Sequence, residues 1–181
     1  EVGAAMVASP ELRGLCFTGS WAVGRRILDA NLERPGRIVA LELGGSNPAV
    51  VMHDADLRQA VIEVVRCAFN TSGQRCTATR RVIVHERVAD RFIAAVANAA
   101  RALVVNDPRR VTGNAGASTG PFMGPVINDA ARQAVMDFQK CAIAAGSEAL
   151  LAATLPDNLG AGHYVTCLLY TSPSPRDATL S

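Results

Sequence analysis

No sign of charge dominates this sequence. Lys+Arg number 18 against Asp+Glu 16, for a net charge of +2, and the two signs are interspersed. That excludes the basic stripe of a nucleic-acid binder. The densest basic spots, Arg80-Arg81 and Arg109-Arg110, are short and read as solvated or locally paired arginines. Long apolar runs are also missing. A membrane span needs roughly 18 uninterrupted apolar residues, and the best stretch, Ile93 to Val105, is broken by Asn98 and Arg101. Five cysteines (Cys16, Cys67, Cys76, Cys141, Cys167) lie scattered with no C-x-x-C pair, which argues against a disulfide scaffold and a zinc site. Reduced thiols and a cytoplasmic setting are the expectation. His53, His85 and His163 share no ligand spacing, so no metal is expected, and no internal repeat is visible. No signal peptide is seen either. The chain opens on Glu1-Val2-Gly3 without an initiator methionine, so a piece of a longer protein is expected.

Hydrophobic residues make up 49% and charged residues 19%, enough apolar side chain for a substantial core. Gly14 to Thr18 reads as a buried strand. A glycine turn and a helix capped by Ser20 follow, with Val23, Ile27, Leu28 and Leu32 at helical spacing until Pro35-Gly36. Ile38 to Leu43 is a nearly continuous apolar strand of the kind covered on both faces, interrupted only by Glu42. After the turn Gly44 to Pro48, residues 49–52 predict a strand. Asp54 and Asp56 open a helix carrying Leu57, Val61, Val64, Val65, Ala68 and Phe69, and both carboxylates read as N-terminal helix charges. Residues 81–85 predict a strand and 89–103 an amphipathic helix. Residues 106–119 predict a loop, and Asn128 caps a helix to about Ala145. The alternation predicts an α/β fold. From Cys167 on, the chain has no period and two Ser-Pro steps. Residues 167–181 therefore read as a disordered end or a stretch foreign to the parent sequence.

Two residues carry the chemistry. Cys76 lies in Ser72-Gly73-Gln74-Arg75-Cys76-Thr77, in a loop beyond a helix end. The loop gives access, and the Arg75 charge lowers the thiol pKa if it faces the sulfur. A small buried cysteine is the alternative; for Cys16, Cys67 and Cys141, which sit in apolar patterns, core packing is the expectation. Glu42 ends a strand ahead of Gly44-Gly45, where glycines let backbone or a ligand come close. It is either a base or a carboxylate satisfied by nearby backbone N–H groups. A thiol nucleophile and a carboxylate base together suffice for two-step covalent chemistry on a carbonyl. Gly19 to Gly24 forms a strand–turn–helix entry that could hold a phosphate or simply reverse the chain.

Phe17-Thr18-Gly19-Ser20 with Gly24, Leu41-Glu42-Leu43-Gly44-Gly45 with Asn47-Pro48, and Gly73-Gln74-Arg75-Cys76 follow in an order and at intervals that resemble the aldehyde dehydrogenase superfamily. Gly124-Pro125-Val126-Ile127 ahead of a helix is similar too. Within the superfamily, Cys76-Thr77 followed by Arg80-Arg81, and Pro35-Gly36 leading into Ala40-Leu41-Glu42, resemble the succinylglutamate-semialdehyde dehydrogenases of arginine catabolism. The resemblance covers about residues 1–166. It implies the end of a Rossmann-like NAD-binding domain over 1–44 and a partial α/β catalytic domain over 45–166. Cys76 would attack an aldehyde, and hydride would pass to NAD (NADP staying open), leaving a thioester that Glu42 hydrolyses by activating water. The Cys76 N–H would help hold the oxyanion. Gly19, Ser20, Trp21, Ala22, Val23 and Gly24 would lie along the cofactor, and the Leu43 carbonyl would meet its carboxamide. The parent would be a homo-oligomeric oxidoreductase acting on a small aldehyde, with no nucleic-acid or membrane partner. The upstream adenosine-site lysine and oxyanion asparagine, and the downstream Glu-x-Phe-Gly-Pro segment, have no counterpart here, so the isolated chain is expected to be inactive. A reductive relative, another semialdehyde dehydrogenase and a non-catalytic scaffold are the other readings.

Overall fold

A computed structural model describes residues 2–109, 120–156 and 159–171. Most of the loop expected over 106–119, and the end of the chain from 172, lie outside the described residues. Two compact units emerge: Glu1–Asn47 with Arg75–Thr77, and Pro48–Gln74 with Ala78–Ser181.

The first unit contains α1 (Val2–Ala8), β1 (Gly14–Gly19), α2 (Trp21–Asp29) and β2 (Ile38–Leu43). The two strands are parallel and in register from Gly14↔Ile38 to Gly19↔Leu43, with α2 as the crossover. Ser20 caps α2, its hydroxyl accepting from the Val23 N–H at 3.4 Å. The helix meets the end of β2 closely, since a Cβ at Gly24 would lie 2.7 Å from the Leu43 side chain.

Three expectations fail here. α2 ends at Asp29 and not at Pro35. The buried Asn31 amide donates to the Ile27 carbonyl at 2.6 Å, a local bond that competes with the helical ladder, and the chain then turns through Arg34 and Arg37. β2 is not covered on both faces. Val39, Leu41 and Leu43 are half-buried while Ile38 is 73% exposed, because α2 covers one face only. The same alternation leaves Cys16 of β1 exposed, contrary to its expected core position. Few residues of this unit are buried, and polar contacts help hold it. Arg37 donates to the Val7 carbonyl at 2.8 Å, to Asn31 Oδ1 at 3.0 Å and to the Ser9 carbonyl. Arg34 reaches the Ala8 carbonyl at 2.9 Å. Two guanidinium groups thus satisfy carbonyls at the C-terminal end of α1.

The second unit takes up the chain within β3 (Asn47–Val51) and runs through α3 (Leu57–Phe69), β4 (Thr79–Val84), α4 (Glu86–Arg101), α5 (Asp129–Ala144), β5 (Glu148–Leu151) and β6 (Leu169–Thr171). β3 pairs with β4. Caps fix the helix starts: Asp56 accepts from Arg58 N–H at 2.9 Å and Gln59 N–H at 3.1 Å, and Asn128 accepts from Ala131 N–H at 2.8 Å. Val51, Val64, Val65, Phe92 and Val96 form the main core, where the helical periods of α3 and α4 meet. Cys67 and Cys141, expected in that core, are exposed, on the solvent sides of α3 and α5.

The tail also differs from expectation at its start. β6 pairs antiparallel with β5 from Glu148↔Thr171 to Leu151↔Leu169. Cys167 is 4% exposed and clusters with Ala100 and Met123. Its thiol donates to the Met123 sulfur at 3.4 Å, and burial pushes its pKa up to about 11. A strand of three residues carries too short a pattern to be read from sequence.

Candidate active site

In parallel α/β sheets, ligands bind beyond the carboxyl ends of the strands. Here β1 ends at Thr18-Gly19 and β2 at Glu42-Leu43, and the register sets Thr18 beside Glu42 and Gly19 beside Leu43. The cofactor turn expected over Gly19 to Gly24 and the strand bearing the expected base are therefore neighbours. The Trp21 and Ala22 amides, at the start of α2, have no carbonyl upstream in the helix to pair with, and they lie at this same end of the sheet. These residues fit the anionic part of a dinucleotide. Glu42 is exposed, on the face of β2 opposite Leu43. The sequence placed it in a strand of the kind covered on both faces; with one face of the strand open, the carboxylate keeps its contact with water.

The chain approaches Cys76 through an unusual turn. After α3, residues Asn70–Gly73 form a 3-10 turn in which Thr71, Ser72 and Gly73 all have left-handed backbones, with φ of 57°, 54° and 70°. For a β-branched residue such as Thr71 this conformation is a genuine outlier, and such strain persists only where surrounding contacts impose it. Those contacts are present. The Ser72 hydroxyl donates to the Gly124 carbonyl at 2.8 Å, and Gln74 Oε1 accepts from the Ile127 N–H at 3.0 Å. Gln74 Nε2 donates to the Thr71 carbonyl at 3.3 Å, and the Arg80 guanidinium to the Gly73 carbonyl at 2.8 Å. The segment Gly124 to Ile127, noticed in the sequence only by resemblance, thus buttresses the turn.

Beyond Gln74, residues Arg75–Thr77 join the first unit. Cys76 is exposed, so the alternative of a small buried cysteine does not hold. In the same unit the Asn47 amide donates to the Cys76 carbonyl at 2.6 Å. Asn47 escaped the sequence reading as a site residue, because a bond between residues 29 apart in the chain leaves no local signal. The first unit therefore contains every residue expected in the site: Cys76, Glu42, Leu43 and Gly19 to Gly24.

His53 and His85 come together, with ring centroids 4.9 Å apart, and His85 Nδ1 caps α4 by accepting from the Arg87 N–H at 3.2 Å. His163 faces Asp129 at 3.8 Å. Among the described residues no three of His, Cys, Asp and Glu are grouped to hold a metal ion, and no helix is long and apolar enough to cross a membrane.

Comparison with known proteins identifies the family. The profile described as aldehyde dehydrogenase family matches residues 1–180. An N-succinylglutamate 5-semialdehyde dehydrogenase of Sphingopyxis alaskensis is 41% identical over 131 residues, covering 72% of this chain and 26% of that protein. The mitochondrial succinate-semialdehyde dehydrogenase of Arabidopsis thaliana is 38% identical over 151 residues, covering 83% of this chain and 27% of its own. The structure resembles the aldehyde dehydrogenase of Bartonella henselae, with TM-score 0.83 and 29% identity over 97% of this chain and 35% of that one. It also resembles a mutant of aldehyde dehydrogenase C from Pseudomonas syringae in complex with NAD+ and octanal. There the TM-score is 0.84 and identity 27%, over 96% of this chain and 34% of that one. The chain thus spans about a quarter to a third of the length of these relatives.

Proposed function

This chain belongs to the aldehyde dehydrogenase family, and from that premise we propose that it is the part of an NAD-dependent aldehyde dehydrogenase that carries the nucleophile and the deacylating base. The first unit is the end of the cofactor domain and the second the start of the catalytic domain. The observation that carries the reading is the presence, in one unit, of an exposed thiol at Cys76 and an exposed carboxylate at the carboxyl end of a parallel strand beside the α2 N-terminus.

The Cys76 sulfur adds to the aldehyde carbon to give a thiohemiacetal, and its backbone N–H helps hold the oxyanion, a preorganised donor of the kind that matters most in acyl chemistry. Bound NAD (or NADP) supplies the hydride acceptor. Ser20, Trp21 and Ala22 would hold its phosphate end through the amides at the start of α2, and the Leu43 carbonyl would meet its carboxamide. Glu42 then takes a proton from the water that attacks the Cys76 thioester, which releases a carboxylate and regenerates the thiol. The complete enzyme acts on N-succinylglutamate 5-semialdehyde, a reaction of arginine catabolism in the cytoplasm. Relatives of that name at 38–41% identity support this substrate. Succinate semialdehyde is the second reading, favoured by the Arabidopsis relative and by the 32% identical Burkholderia pseudomallei structure. Both are acidic semialdehydes.

In the complete enzyme carrying this segment, Glu42→Gln keeps the initial burst of NADH while steady-state turnover falls by about 10²-fold or more, and Cys76→Ser removes both. Unchanged steady-state turnover in Glu42→Gln removes the role given to that residue. A higher kcat/KM for succinate semialdehyde than for N-succinylglutamate 5-semialdehyde transfers the assignment to the second reading.

A further inference from the structure

The reading of Cys76 and Glu42 above leaves open what holds one at working distance from the other. We propose that Asn47 is a positioning residue: its amide ties the peptide of the nucleophile to the turn that leaves the Glu42 strand. The inference rests on the roles given to Cys76 and Glu42. Asn47 Nδ2 donates to the carbonyl of Cys76 itself, at 2.6 Å, so the bond limits rotation about the backbone of the reacting residue. From Asn47 the chain reaches Glu42 through Leu43, Gly44, Gly45 and Ser46 alone, a short path with both ends in the first unit.

A second, independent observation points the same way. A Cβ at Gly45 would lie 3.2 Å from Asn47 Oδ1 and 3.6 Å from the Cys76 carbonyl oxygen. The absence of a side chain at 45 is what leaves room for the amide to lie between the turn and the cysteine loop. Gly45 has no positive φ, so close approach, rather than backbone conformation, accounts for glycine there. A residue that merely began β3 would need neither the bond to Cys76 nor the clearance at Gly45.

The test isolates the step in which the two groups must cooperate, and it needs no cofactor. The chain is treated with p-nitrophenyl acetate, which acetylates thiols: the sulfur displaces p-nitrophenol and keeps the acetyl group as a thioester. Water then hydrolyses the thioester to acetate and free thiol. Peptide-resolved mass spectrometry follows the loss of acetyl from Cys76, with the exposed Cys67 and Cys141 as internal references. Glu42→Gln slows hydrolysis at Cys76 alone. Asn47→Ala slows it about fivefold, the effect of one lost hydrogen bond of about 1 kcal/mol. Asn47→Asp, with the same shape but no amide donor, does the same. Gly45→Ala reproduces part of the effect and adds nothing in the Asn47→Ala background, and Asn47→Ala adds nothing in the Glu42→Gln background. An unchanged rate at Cys76 in Asn47→Ala, with Glu42→Gln still slow, overturns the role of Asn47 and leaves that of Glu42 standing. An unchanged rate in Glu42→Gln overturns both. A parallel change at Cys76, Cys67 and Cys141 in Asn47→Ala shows general loosening and overturns the positioning role.

Discussion

Replacing Gly73 by alanine tests the backbone that leads to the proposed nucleophile. Gly73 has φ of 70°, and a Cβ there would lie 2.9 Å from the carbonyl oxygen of Ala68. That oxygen belongs to the last turn of α3 and cannot rotate away as a side chain could. A left-handed backbone costs an L-residue about 1–2 kcal/mol, and forcing an extra carbon into a filled space about 1–3 kcal/mol. The lower entropy of the unfolded alanine chain returns about 0.4–1 kcal/mol. The net loss is about 3 kcal/mol, which for a chain of this length lowers Tm by about 6–12 °C. Circular dichroism at 222 nm during heating reads it. Gly36→Ala is the matched control, since nothing lies within 4 Å of a Cβ there and its φ is not positive; its stability stays within about 0.5 kcal/mol of the parent. A Gly73→Ala chain that melts with the Gly36→Ala control would refute the left-handed turn and, with it, the geometry of the approach to Cys76.

Two further outcomes are expected. Burial holds the Cys167 thiol protonated up to about pH 11 against an ordinary value of 9.0, so thiolate absorbance at 240 nm shows a late step that Cys167→Ala removes. Between those two values the unfolded chain has given up a proton that the folded chain keeps, so stability falls as pH rises through the window, by about 1.4 kcal/mol per pH unit. Urea unfolding across that range shows the slope, and its persistence in Cys167→Ala would contradict the assignment. Arg37→Met keeps an apolar stem but loses the bonds to the Val7 carbonyl and Asn31. Amide exchange in α1 then quickens about tenfold, the equivalent of about 1.4 kcal/mol, while α4 exchanges as before; protection of α1 unchanged from the parent would show that the clamp contributes nothing.

What the sequence made legible was what neighbours in the chain decide. Ser20, Asp56 and Asn128 announce their helices because a cap acts on amides two or three residues ahead. The core faces of α3 and α4 follow from spacing alone. The resemblance motifs likewise marked the carboxyl ends of β1 and β2. Cys16 was misjudged because Gly14 to Thr18 is apolar on both faces, and only the placement of α2 decides that Leu15 and Phe17 turn inward while Cys16 does not. The early end of α2 depends on a side chain, Asn31, folding back on its own helix. The arginine clamp on α1 spans 25 to 30 positions, and the Asn47 tie to Cys76 spans 29. Pattern reading has no access to bonds of that range.

The form of the turn before Cys76 bears on the proposal that this thiol, among five, is the nucleophile. A helix that only needs to stop can do so with one glycine in a left-handed conformation. Here Gly73 would have served, yet Thr71 and Ser72 are left-handed as well, at about 1–3 kcal/mol for each such residue. Side chains from outside and within the turn offset that cost: Ser72 on Gly124, Gln74 on Ile127 and Arg80 on Gly73. Gln74 is the last residue of the turn's unit before the chain enters Arg75–Thr77. A strained turn with its own supports, ending three positions before an exposed cysteine, favours a thiol that must be aimed over one that is merely accessible. Cys67 and Cys141 are exposed too, but each lies within a regular helix whose backbone carries no such strain, and Cys16 lies in an ordinary strand. Exposure alone therefore does not select among these thiols, and the strained backbone a few residues ahead of Cys76 in the chain supports the role proposed for it.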